Sequence, residues 1–142
     1  MSGNIKLRLF LLAPIVLALL VVISPSISWA GELEDAKEDV RKYPNDSAAH
    51  FNLGWTYDEL GQYQDAIASY KEALHIKPDD ADAHNGLGIT YEKLGRNAEA
   101  IAKYKEALRI KPDFKSARNN LNELEQKTAD ERLALEQRLL EE

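Results

Sequence analysis

The chain of 142 residues repeats itself. Ser47–Asp80 set above Ala81–Phe114 without gaps gives 20 identities in 34 positions, among them Tyr57 with Tyr91 and Tyr70 with Tyr104. Identity of that density at one fixed offset means that each copy is one supersecondary unit and that neighbouring units bury each other's faces. Positions 50, 53, 57 and 60, with the His50 ring counted as partly apolar, recur at three- and four-residue spacing and form one stripe along a helix. A second stripe follows Gly61. Leu60-Gly61 and Leu94-Gly95 read as helix ends whose glycine can turn left-handed, and Pro78 and Pro112 stop the second helix of each copy. Each copy is therefore predicted to be a helical hairpin. Gly54, Gly88, Ala66, Ala100, Ala73 and Ala107 carry almost no side chain, so the two helices can approach closely while Tyr57, Tyr70, Tyr91 and Tyr104 fill the space beside them.

The order His50-x2-Leu53-Gly54-x2-Tyr57, Leu60-Gly61, Ala66-x3-Tyr70, Ala73, Pro78 returns as His84, Leu87-Gly88, Tyr91, Leu94-Gly95, Ala100, Tyr104, Ala107, Pro112. This pattern resembles the tetratricopeptide repeat (TPR), with His where that family most often has Trp and Tyr where it has Phe. The resemblance implies an all-α fold, an α-solenoid of helix-turn-helix hairpins. Two hairpins alone leave faces uncovered, and the flanks are expected to cover them. Residues 31–46 read as a degenerate half-repeat, a helix with Leu33, Ala36 and Val40 on one side followed by a turn, because Tyr43-Pro44-Asn45-Asp46 lies 34 residues before Lys77-Pro78-Asp79-Asp80. Residues 47–80 and 81–114 are the two full repeats, and residues 115–142, with Ala117, Leu121 and Leu124 in helical register, form a capping helix or a degenerate third repeat. Thr128-x-x-Glu131 is either a capping box opening a new helix or part of one long helix.

In the family this chain resembles, the first helices of successive hairpins line a concave groove for a peptide or helix of a partner. Carried onto this sequence, the groove takes Phe51, Trp55, Asp58 and Glu59 from the first copy and Asp82, Asn85, Ile89, Glu92 and Lys93 from the second. Phe51 and Trp55, four apart, put two rigid rings on one helix face, the kind of side chain that anchors interfaces. With Asp79 and Asp80 bordering it, the groove is expected to have an aromatic floor and an acidic rim, suited to a protein or peptide with apolar anchors and basic side chains. The competing reading packs Trp55 against Ile89 as ordinary core and covers Phe51 with the preceding helix. One subclass of the family grips an acidic C-terminal carboxylate with Lys and Asn residues. Here Ala48, Phe51, Asp82 and Gly86 stand in those slots, so that ligand is not carried over.

Lys6 and Arg8 precede the apolar run of 15 residues from Leu9 to Ile23, and Pro25 and small residues at Ser28 and Ala30 follow. This is the layout of a secretory signal peptide over residues 1–30, cleaved before Gly31, with a retained membrane anchor at residues 9–23 as the alternative. Export to a periplasmic or extracellular location follows, with membrane contact only through an uncleaved signal. Removing those two basic residues leaves 16 basic against 24 acidic side chains, a net charge of −8 that repels phosphate backbones and argues against nucleic acid.

No cysteine is present for a nucleophile or thiolate site. His50 and His84 occupy a packing slot, Asp58-Glu59 and Asp79-Asp80 are expected on solvated surface, and no phosphate loop, nucleophile elbow or HExxH helix occurs. The expectation is a non-catalytic adaptor without cofactor or metal. The alternative is a self-associating structural protein, a homo-oligomer built through its open solenoid end or the leucines at 133, 135, 139 and 140, although Glu131 and Arg138 break a coiled-coil seam.

Overall fold

The computed structural model describes residues 31–141; the expected signal peptide lies outside them. Among the described residues there are six helices and no strand. Helix α1 covers 31–42, α2 Ser47–Glu59, α3 Tyr63–Ile76, α4 Ala81–Lys93, α5 Asn97–Ile110 and α6 Lys115–Glu141. The second-helix ends at 42, 76 and 110 fall at the repeat spacing, so α1 occupies the place of a second helix without its first.

Each full repeat is a hairpin closed by one glycine. Gly61 and Gly95 have φ of +71° and +72°, a left-handed conformation that strains side-chain-bearing residues. Asp46 and Asp80 start α2 and α4 by accepting hydrogen bonds from the first free backbone N–H groups, from Ala48 at 3.0 Å and from Asp82 and Ala83 at 3.1 and 3.2 Å. At the equivalent place before α6 stands Phe114, which packs with Ala81, Ala107 and Ala117 instead. Where α2 and α4 end at Leu-Gly, α6 carries Thr128-Ala129, so the chain has no left-handed turn and runs on as one helix.

Tyrosines set the spacing of the layers. A Cβ on Gly54 would stand 2.9 Å from the Tyr70 ring, one on Gly86 2.9 Å from its far end, and one on Gly88 2.6 Å from the Tyr104 ring. Tyr70 thus lies between its own hairpin partner α2 and the next first helix α4. The main core joins Ala66, Ile67, Tyr70, Leu87, Tyr91, Ala100, Tyr104, Leu121 and Leu124. The turn before each first helix is held by a side chain six residues on: His50 Nε2 donates to Pro44 O at 2.9 Å, His84 Nε2 to Pro78 O at 3.0 Å, and Arg118 to Pro112 O. Beyond Leu124 the last helix leaves the core, and Leu133, Leu135, Leu139 and Leu140 are exposed.

Candidate functional site

Two clefts open side by side along the face built by α2, α4 and α6. The first, of about 200 Å³, lies between α2 and α4 and is lined by Phe51, Trp55, Asp58, Glu59, Tyr70, Asp82, Asn85, Gly86, Ile89 and Lys93. The second, of about 390 Å³, lies between α4 and α6 and adds Glu92, Tyr104, Asn120, Glu123 and Lys127, sharing Ile89 and Lys93 with the first. Of the nine expected groove residues, eight line the first cleft and Glu92 the second.

Their roles divide. Trp55 keeps 46 % of its surface exposed, and Phe51 is half-buried with its ring tilted 58° against Tyr70 at 5.6 Å. Trp55 is therefore surface, not core. Ile89 is half-buried between the two clefts, and Glu59 and Asp82 are exposed.

Asp58 differs from the expectation of a solvated rim carboxylate. It is only 6 % exposed, accepts a hydrogen bond from the Thr90 hydroxyl at 2.9 Å and pairs with the Lys93 ammonium. A carboxylate taken out of water needs such partners, and these come from the next repeat. Asn85 is likewise buried and not an open groove amide; its side-chain oxygen accepts from Asn120 at 3.2 Å across to α6. Glu92 is half-buried and accepts the Tyr104 hydroxyl proton at 2.8 Å. Asp80, expected as groove border, is spent on capping α4 and on its pair with Lys77.

The two clefts carry five carboxylates, Asp58, Glu59, Asp82, Glu92 and Glu123, against two ammonium groups, Lys93 and Lys127. The field inside them is negative. Burial, reinforced by Asp58 and Glu59, pushes the Tyr70 phenol up; burial and the Glu92 hydrogen bond push the Tyr104 phenol up further. Both rings stay neutral at ordinary pH. The opposite face has a wider crevice of about 580 Å³, lined by Lys71, His75, His84, Tyr91, Glu99 and Lys103 among others, so cationic side chains gather there and anionic ones in the clefts. Among the described residues no three His, Asp or Glu side chains stand together as a metal site, and no helix is long and apolar enough to cross a membrane.

Comparison with known families gives three overlapping matches: a tetratricopeptide repeat at residues 40–68, a TPR repeat at 56–95 and a tetratricopeptide repeat at 81–114. Together they run from residue 40 to residue 114, more than half of the chain. The chain belongs to the tetratricopeptide repeat family. Curated proteins give no match. Among solved structures, the Arabidopsis OM64 TPR domain superposes with a TM-score of 0.66 at 22 % identity, covering 72 % of this chain and 85 % of that one. The first TPR of Spaghetti (RPAP3), bound to the HSP90 peptide SRMEEVD, gives 0.69 at 18 %, covering 74 % and 83 %. MamA gives 0.65 at 26 %, covering 68 % of this chain and 57 % of that one. The first two are likenesses of fold.

Within this TPR fold, three features escape a reading by residue type. Gly86, opposite Tyr70, replaces Asn52 of the first copy and opens the floor between α2 and α4. Thr90 reaches back to Asp58 of the preceding repeat. Arg118 stands in the His50/His84 slot one period later; counting 34 residues on from His84 would have found it.

Proposed function

We propose that the protein is a TPR interaction module that holds an apolar and basic segment of a partner protein in the clefts along α2, α4 and α6. The observation that carries this reading is Trp55, a large ring left 46 % exposed in a cleft between successive first helices, with carboxylates around it. Buried aromatic anchors ringed by polar groups are where interface energy concentrates. TPR neighbours of the same fold are bound to peptides, SRMEEVD in one and SGPTIEEVD in another. Those peptides are acidic, whereas the clefts here are themselves acidic, so the partner proposed for this chain carries the opposite charge.

The proposal includes export. Its support is the sequence alone: Lys6 and Arg8, the apolar run 9–23 and the small residues at 28 and 30. N-terminal sequencing of the mature protein is expected to begin at Gly31, and an intact Met1 end would refute cleavage. A photo-crosslinking amino acid at Trp55, with a control at exposed Glu72 on α3, tests the module in its native host. Capture of one foreign protein at 55 and not at 72 is the expected result. Capture of this chain alone would instead favour self-association, a reading to which the exposed leucines of α6 give some ground.

A further inference from the structure

We propose that the cleft between α2 and α4 takes an extended partner segment in which an apolar residue is flanked, two positions away on each side, by Arg or Lys. This rests on the interaction reading above and specifies its ligand.

The Tyr70 ring lies against both Gly54 and Gly86, and four residues further along each helix the Thr90 hydroxyl meets Asp58, so α2 and α4 run side by side in the same direction. Asp82 in the first turn of α4 then lies at one end of the cleft and Glu59 at the other, beside Lys93. Eleven residues separate Asp82 from Lys93 in sequence, which at about 1.5 Å per helical residue puts the two ends roughly 16 Å apart. Phe51, Trp55 and Ile89 line the stretch between. An extended chain rises ~3.3 Å per residue and turns every second side chain to the same face, so positions i and i+4 stand roughly 13 Å apart with i+2 between them. The flexible stems of Arg or Lys close the remaining gap.

The carboxylates of Glu59 and Asp82 form no hydrogen bond or ion pair among the described residues, whereas Asp58 is already held by Thr90 and Lys93. The two ends therefore each offer one available negative charge. At the Glu59 end the cleft already holds a cation, since the Lys93 ammonium pairs with the buried Asp58 carboxylate.

The test uses the full-length protein and fluorescein-labelled peptides read by anisotropy at low salt. The probe is Gly-Ser-Arg-Ser-Leu-Ser-Arg-Ser-Gly; its isomer has the two arginines adjacent at one end, and a third peptide has Glu in place of both. Expected are binding of the probe about tenfold tighter than its isomer, no binding of the Glu peptide, and a loss of about threefold for Glu59→Gln and for Asp82→Asn, exposed side chains whose replacement leaves the core intact. Equal affinity for probe and isomer, or unchanged binding by both variants, would overturn the spacing. If no peptide binds but the crosslinker at 55 still captures a partner, this inference fails and the interaction module stands; if neither occurs, both fail.

Discussion

The two joints between successive first helices are built from opposite materials. Between α2 and α4 the contact buries a charge: Asp58 with the Thr90 hydroxyl and the Lys93 ammonium. One period later, between α4 and α6, Glu92 stands for Asp58 but Leu124 stands for Thr90, and Leu124 is fully buried. Glu92 turns instead to Tyr104 in its own repeat, and the polar link to α6 is the Asn85–Asn120 pair. Near-identical repeats can thus be joined by a geometrically strict polar contact at one joint and a non-directional apolar one at the next. A buried ion pair is weak evidence for stability and costs most when one partner is removed. It does constrain how α2 and α4 sit, and the cleft with Trp55 lies at that joint.

The largest effect is expected at the apolar joint. Leu124→Ala removes a fully buried side chain and should cost about 3 kcal/mol, lowering the thermal midpoint of the whole array. A loss under about 0.5 kcal/mol would mean that α6 is not part of the cooperative unit. Lys93→Met leaves Asp58 buried with only Thr90. Because Lys93 is 37 % exposed, the buried-pair penalty is discounted to about 1–2 kcal/mol, measured by urea unfolding. If Lys93→Met is neutral while Thr90→Val is not, the joint depends on the hydroxyl alone.

Tyr104→Phe should cost about 1 kcal/mol through the lost Glu92 bond, and it also changes the alkaline limb. The Tyr104 phenol is raised in the folded state, so its contribution is fully present below the unfolded value of about 10 and is lost as pH rises beyond it, when the unfolded chain gives up its proton first. Thermal midpoints of the parent protein should fall above about pH 10, and those of Tyr104→Phe should fall less steeply. Tyr70, raised for the same main reason, keeps part of the slope. The smallest effect belongs to Lys105→Ala, which breaks an exposed pair with Glu125 between α5 and α6 and should stay within about 0.5 kcal/mol.

The repeat period made the hairpins legible, because Leu-Gly, Ala and Pro each act on the backbone within their own turn. The placing of the Phe51 and Trp55 rings along one cleft was legible for the same reason, four residues apart on one helix. Asp58 was not: it sits off the apolar stripe, beside Glu59 and near a helix end, and its partners stand 32 and 35 residues away. Burial of that carboxylate is a property of the stack, and local patterning carries no trace of it. Thr128-x-x-Glu131 was ambiguous because a capping box and a helix interior share those residue types; what decides is the missing glycine at 129.

The side chains that hold each inter-repeat turn, His50, His84 and Arg118, close loops of only six residues. Loops so short form at little entropic cost, and topologies rich in local contacts fold fast. Every turn can therefore find its register before any neighbouring repeat has docked, so either hairpin can serve as the starting point from which the array grows.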